Sequence, residues 1–317
     1  MTALATLPER NTTEPIETVM GKYVTLERDR VFRAKLDRLL KRDGTGVPTA
    51  RPVTFTSTGE TRGVAVTGNA GSGKTSLVHR ALSKHPALQP SDAALMPLVS
   101  VSVPNPATIK SLGMEILKAT GYKELHTDRP AWKIWADVDT RFALLGTVVL
   151  WIDEAHDIFA GRSRTDAPEI LNHLKRRMQG TGAVIVILSG LETLWNNLCT
   201  DSQVKRRFYR FDLPPLATAA DRKVLSKIMD NFCDTTGLER PEPGDLIERL
   251  TYAGQQRFGL CIEQIIGAIE IALGRGDARL GIEHFAEAYF EKEGCPVAEN
   301  VFMVRNWTSI TQRTSAK

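Results

Sequence analysis

The chain has 317 residues and a mass of 35.0 kDa, 42% hydrophobic and 25% charged, which suits a globular protein of one large or two ordinary domains and excludes a disordered or fibrous chain. Forty-one Lys+Arg against 37 Asp+Glu leave +4, which permits a polyanionic partner without demanding one, so any nucleic-acid signal has to come from local clusters. Apolar stretches fall far short of the roughly 20 residues of a membrane helix, residues 1–20 lack a signal-peptide core, and Cys199, Cys233, Cys261 and Cys295 form no C-x-x-C pair. The composition thus predicts reduced thiols, no zinc site, no membrane partner and a cytoplasmic location.

Residues 1–20, with Thr, Pro and Glu and little apolar periodicity, read as a flexible leader. From Arg28 to Lys41, Val31, Phe32, Leu36, Leu39 and Leu40 recur at helical spacing, predicting an amphipathic helix that Asp43-Gly44 ends. Residues 44–62 are a Gly-, Pro- and Thr-rich connector with room for a short hairpin. Five apolar runs of strand length follow, at Gly63 to Thr67, Leu98 to Val103, Thr147 to Ile152, Ala183 to Leu188 and Arg210 to Leu213, separated by helical patterns. Runs buried on both faces are what a parallel sheet between helices requires, so the fold class is α/β. After Pro214-Pro215 only helical patterns remain, near 218–236, 243–253, 259–274 and 281–293. The expected organisation is a leader (1–20), an αβα nucleotide-binding domain (21–215), an all-helical domain (216–293) and a tail (294–317). The tail's Val301, Phe302, Val304 and Trp307 imply that it docks, on a partner or back on its own helices.

Gly68-Asn69-Ala70-Gly71-Ser72-Gly73-Lys74-Thr75 fits G-x-x-x-x-G-K-[ST], directly after a strand and before a helix that begins through Ser76 and Leu77. Glycines let the loop curl so that its N–H groups and the helix N-terminus meet phosphate oxygens. Lys74 reaches the terminal phosphates, and Thr75 takes Mg²⁺. The cofactors are therefore ATP and Mg²⁺. About 80 residues later, Val148-Val149-Leu150-Trp151-Ile152 ends in Asp153-Glu154. A carboxylate at that strand tip faces the metal and the next one a water in line with the γ-phosphate, so Asp153 reads as the metal partner and Glu154 as the base.

With these motifs the chain resembles AAA+ ATPases, and within them the TniB/TnsC group of transposition regulators. Further points of resemblance are the Asp153-Glu154-Ala155-His156 turn, Leu188-Ser189-Gly190 at a strand end, Arg206-Arg207-Phe208 before the fifth strand, and Cys295-Pro296 followed by Glu299-Asn300-Val301-Phe302. The resemblance implies an AAA+ core with a C-terminal helical lid. It gives Ser189 the place of the sensor that reads the γ-phosphate or positions the water. Arg207, or else Arg206, becomes a finger reaching a neighbour's nucleotide, although the surrounding cations also fit a solvated basic face. The third lid helix lacks a sensor arginine in Gly259-Leu260-Cys261-Ile262-Glu263, with Arg257 just upstream, which suits a slow, switch-like ATPase. Adenine is expected near Tyr23 and Val24.

The same resemblance implies assembly on double-stranded DNA as rings or helical filaments, with a DDE transposase and a TniQ-like target-selection protein as partners. Backbone-following cations are sought in Arg162 and Arg164 of a Gly-containing turn, and in Lys110, Lys118, Lys123 and Lys133 around the helices between the second and third strands. No base-reading motif accompanies them, so little sequence preference is expected. Two other jobs use the same residues: a helicase loader or ExeA-like ATPase, and a signalling NTPase that uses ATP as a latch without binding DNA.

Overall fold

The computed structural model describes residues 13–123, 128–160 and 165–310. Helix α1 (Thr13–Met20) comes first, and the chain then divides into two units: Thr25–Pro214, and a second made of the segment through Val24 with Pro215 onward. None of the described helices is long and apolar enough to cross a membrane.

The Thr25–Pro214 unit opens with α2 (Glu27–Asp37), shorter than the expected helix. Phe32 and Leu36 are buried on it, while Leu39 and Leu40 are buried at the entry to a hairpin of β1 (Leu40–Arg42) and β2 (Pro48–Pro52). A single apolar pattern thus spans a helix end and a strand start. The main sheet holds β3 (Gly63–Thr67), β4 (Leu98–Ser102), β5 (Val149–Asp153), β6 (Ile185–Gly190) and β7 (Phe208–Asp212), all parallel, in the order β4-β5-β6-β3-β7. Around it run α3 (Lys74–Ser83), α4 (Ile109–Ala119), α5 (Ala131–Leu145), α6 (Ala167–Arg177), α7 (Glu192–Leu198) and the short α8 (Ser202–Lys205).

Alternation along the strands sorts the core. Val64, Val66, Trp151, Ile185 and Ile187 pack with α2 and α3, whereas Ala65, Leu150, Ile152, Val186 and Leu188 pack with α4 to α7. Both faces are covered, which is why the strands read as continuous apolar runs. β5 and β6 begin two residues further along than their apolar runs suggest. Thr147 and Val148 bond outside the ladder, and Ala183 closes a turn whose Gly180 and Gly182 have φ of 82° and 80°. The shift puts Asp153 and Ser189 inside the strands, at their C-terminal ends.

In the other unit α9 (Ala219–Thr236), α10 (Leu246–Ala253), α11 (Phe258–Arg275) and α12 (Ile282–Glu293) match the four helical patterns closely. A reciprocal Thr218–Asp221 cap starts α9, and Gly237 at φ 74° stops it. The leader reading needs correction over residues 13–20. Ile16 and Val19, spaced i, i+3, are buried, α1 packs on α9 and α11, and the Lys22 ammonium donates to Thr235 Oγ1 at 2.7 Å.

The tail packs on its own helices. Asn300 donates to the Ala286 carbonyl at 2.7 Å, and Phe302 lies against Phe285 and Tyr289. Arg249, on α10, donates to the carbonyls of Val301 and Val304 at 2.6 and 2.7 Å. The Trp307 indole N–H donates to Asp245 at 3.0 Å, and its ring meets Tyr252 edge to face.

Candidate functional site

The C-terminal ends of β3, β5 and β6 lie side by side, so whatever extends them converges. β3 runs into the loop Gly68–Gly73 and then α3. Gly71 and Gly73 hold φ of 73° and 88°, values only glycine adopts without strain, and a side chain at 73 would come 3.0 Å from Arg28 Nη2. Lys74 is buried, and its ammonium donates to the carbonyls of Gly68 (2.9 Å) and Asn69 (3.0 Å), which holds a positive charge inside the curl of the loop. The loop's amides and the α3 N-terminus add positive potential at the same place.

From β5, Asp153 Oδ2 accepts from Thr75 Oγ1 at 2.8 Å. Its Oδ1 accepts from the Ser189 hydroxyl and from the Glu154 amide, the latter at 3.0 Å. Ser189 in turn accepts from the Trp151 indole N–H at 2.8 Å, and both atoms of that bond are buried. A chain of bonds thus links Trp151, Ser189, Asp153 and Thr75 across two strands and a helix. Ser189 has no exposed surface, so its hydroxyl acts on the Asp153 carboxylate.

Beyond Asp153 the backbone reverses at Glu154, a non-glycine residue at φ 52°, which ends the strand and turns the side chain out of the ladder. The Glu154 side chain is 49% exposed, and its Oε2 lies 3.2 Å from His156 Nδ1. Gly190 leaves room for this turn, because a Cβ there would sit 3.0 Å from the His156 nitrogen. A buried, oriented carboxylate next to a half-exposed one suits metal holding beside water activation.

The residues present fit Mg²⁺. A hydroxyl and a carboxylate oxygen are hard donors already within 2.8 Å of each other, and this ion keeps waters and phosphate oxygens for its other positions. Among the described residues no group of three or more His, Cys, Asp or Glu could hold a metal of another kind.

Arg28 escaped the sequence reading. It lies on α2, 44 residues before the loop carbonyl that it contacts, and donates from Nη1 to Ser72 O at 2.9 Å. A peptide carbonyl that accepts from a cation is fixed in direction, so Arg28 braces the loop from outside. A lone Arg in a helix rich in Arg gives no local signal of this.

The arginine expectation needs correction. Arg207 is buried, and its Nη2 donates to Glu60 Oε1 at 2.6 Å and to Gln179 Oε1 at 2.9 Å. This cation holds the Glu60 carboxyl below the usual carboxylate range. Arg207 therefore ties its own subunit together at the N-terminal end of β7. Arg206 shares Glu60 at 2.9 Å but keeps 58% of its side chain exposed.

Tyr23 and Val24 end the first segment of the helical unit, both half-buried. Arg257 precedes α11, after Gln255 and Gln256 at φ of 52° and 58°. Arg162 and Arg164 lie outside the described residues. Lys110 and Lys133 stand in the first turns of α4 and α5, which start side by side because the Trp135 indole donates to the Ile109 carbonyl at 2.9 Å. Lys123 is exposed in the link between those helices, and Lys118 pairs with Glu115 at 3.7 Å.

The likenesses to known proteins agree with this site. Among solved structures the chain is similar to the ORC1 protein of Aeropyrum pernix in complex with DNA, at 18% identity and TM-score 0.62 over 90% of this chain and 71% of that one. It is also similar to the ORC2 protein of Aeropyrum pernix (16%, 0.62, 89% and 75%) and to Cdc6p of Pyrobaculum aerophilum (15%, 0.61, 89% and 75%). At such identities the likeness bears on the fold, which is that of an AAA+ ATPase: a P-loop α/β core with a helical lid. No curated protein matches the sequence. The family model for the bacterial TniB protein matches residues 53–218, just over half of the chain and the stretch that carries the phosphate loop, the acidic pair and Ser189. With that match and this site, the chain belongs to the TniB family.

Proposed function

We propose that the protein is an ATP-dependent regulator of transposition that assembles on double-stranded DNA. Subunits carrying ATP and Mg²⁺ polymerise as rings or helical filaments in the cytoplasm, present a surface to a DDE transposase and a TniQ-like selection protein, and are remodelled when ATP is hydrolysed to ADP and phosphate. The observation that carries the nucleotide part is the bonded chain from Thr75 through Asp153 to Ser189, with Glu154 half exposed beside it. The DNA complex of the ORC1 structure and the ADPNP-ADP complexes of the ORC2 structure support DNA association and nucleotide binding by analogy of fold, and the TniB family match supports the link to transposition.

Placement supports the following residue roles. Lys74 and the loop amides bind the phosphates with Gly68 to Thr75 and Ser76, while Arg28 holds the loop in shape. Thr75 and Asp153 would hold the metal, which neutralises phosphate charge when bound. Ser189 and Trp151 fix the Asp153 carboxylate, and Glu154 orients the attacking water and takes its proton. Arg206, exposed and one residue from the buried strut Arg207, is the finger toward a neighbour's nucleotide.

Electron microscopy of the protein with linear duplex and a non-hydrolysable ATP analogue, beside ADP and a Lys74→Ala variant, tests this. Ordered assemblies on DNA with the analogue alone, lost in Lys74→Ala, support the regulator. Dispersed particles that ignore DNA in every nucleotide state overturn it in favour of a latch. Co-purification with a helicase rather than a transposase would move the same ATPase to a loader's role.

A further inference from the structure

Glu154, the half-exposed carboxylate beside Asp153, hangs from a backbone that has just reversed at φ 52°. A long side chain on such a turn has many rotamers open to it, and few of them aim its oxygens at one chosen water. His156 is placed to narrow that choice. It stands two residues on, in the short turn Ala155–Phe159, which Ala155 and Ile158 anchor by burial. Its side chain is 19% exposed, with Nδ1 3.2 Å from Glu154 Oε2 and Nε2 3.5 Å from Asp157 Oδ1.

The ring is fixed from behind by the strand that carries Ser189. A Cβ at Gly190 would stand 3.0 Å from the His156 amide nitrogen, 3.2 Å from His156 Nδ1 and 3.3 Å from Leu194 Cδ2. Gly190 keeps a φ of the ordinary sign, so the glycine serves close approach and not an unusual backbone. Nδ1 is thereby wedged between the tip of β6 and the Glu154 carboxylate. It is buried and makes no hydrogen bond among the described residues, although a carboxylate oxygen lies within reach. Buried polar atoms are rarely left so, and a site whose bonds align only around bound substrate is one setting in which they are. A small rotation of the exposed Glu154 side chain aligns the pair, with the ring nitrogen donating and the carboxylate accepting. One strand end then sets both acids, since Ser189 holds Asp153 directly and Gly190 acts on Glu154 through the imidazole.

We propose that His156 is a positioning residue for ATP hydrolysis: seated against Gly190, its Nδ1 holds the Glu154 carboxylate in the orientation that meets the attacking water. His156 acts through Glu154 and transfers no proton of the reaction. This rests on the reading of Glu154 as the group that takes the water's proton, and adds what aims it.

The test is turnover of the full chain with Mg²⁺, ATP and linear duplex, read as phosphate release, beside binding of a fluorescent ATP analogue. His156→Ala should lower kcat about tenfold and leave KM and analogue affinity within about twofold, since other residues hold the phosphates. His156→Asn, whose amide nitrogen can take the place of Nδ1, should return kcat to within roughly threefold of wild type. His156→Gln, whose amide nitrogen falls nearer the place of Nε2, should not. In single-turnover reactions His156→Ala should cost nothing further on top of Glu154→Gln, because nothing is left for it to aim. Thermal melting of each variant checks that the fold persists. A kcat that His156→Ala leaves unchanged or raises overturns the proposal. So does a loss that the Asn variant fails to rescue, or one that adds in full to Glu154→Gln, either of which makes the imidazole a packing element only. If Glu154→Gln itself turns over like the wild type, the reading of Glu154 falls and this proposal with it.

Discussion

The two ends of the central sheet use the same residue types in opposite ways. At the C-terminal ends of β3, β5 and β6, Lys74, Asp153 and Glu154 are held by a loop and by neighbouring hydroxyls, and Glu154 stays open to solvent. At the other end, where β7 begins, Arg207 and Glu60 are buried and bonded to each other, with Gln179 accepting a further bond from Arg207. A charge buried and bonded to an opposite charge of its own fold is structural, and one left open to solvent at a strand tip is available for chemistry. Arg206 and Arg207 are adjacent in sequence and share Glu60, yet Arg207 is buried while Arg206 keeps 58% of its side chain exposed.

The sharpest way to break the comparison is to exchange those two arginines' roles. Arg206→Ala should lower the turnover of assembled protein by about a thousandfold, as loss of a finger does. Its own stability should change by no more than about 1 kcal/mol, since the Arg206 side chain is 58% exposed and Arg207 keeps Glu60 paired. Mixing it with Lys74→Ala should restore turnover, because each defective subunit supplies what the other lacks. Failure of the mixture to recover would place the finger elsewhere. Glu154→Gln comes next. Turnover should fall about a hundredfold or more, read as phosphate release, while a fluorescent ATP analogue still binds. A fall of less than about tenfold would mean that another group takes the water's proton.

Arg207→Ala probes the structural end and should cost about 3 kcal/mol in urea unfolding, because it strands Glu60 in a buried place. The same pair sets a pH dependence. The Glu60 carboxyl is held below its ordinary value of 4.5 by Arg207, so folding binds fewer protons there than unfolding. The stability it contributes is complete above about 4.5 and is lost as pH falls through the lowered folded value. Glu60→Gln should therefore flatten the acid limb of a stability-against-pH curve, and an unchanged limb would assign acid sensitivity to other carboxylates. The smallest effect is expected from Arg28→Ala. Losing one charged brace on the loop should weaken nucleotide binding about fivefold, near 1 kcal/mol, with Arg28→Lys partly restoring it.

Legibility in the sequence followed the range of the interactions. The phosphate loop, Asp153 and Glu154 were readable because their chemistry lies within eight consecutive residues or at the end of one apolar run. The parallel sheet was readable because burial on both faces leaves unbroken Val and Ile. Pairings across long separations left no local trace: Arg28 to Ser72, Arg207 to Glu60, and Trp151 to Ser189. The starts of β5 and β6 were misjudged by two residues because apolar character begins before the ladder does. Helix α1 was missed because, among its residues of described burial, only Ile16 and Val19 are buried, too few to stand out from a polar stretch.

The position of α1 also bears on how the chain is made. Its packing partners α9 and α11 lie more than 200 residues further on, past the whole nucleotide-binding unit, which is thus inserted between two parts of the helical one. At ribosomal speeds of about 5–20 residues per second, α1 waits on the order of 10–40 s for its partners to be synthesised. The phosphate-binding unit, from Thr25 to Pro214, is complete in the meantime and can fold first. The helical unit closes later, from its two separate segments, and a nascent chain halted between Pro214 and α9 would carry a finished nucleotide core with α1 unpaired.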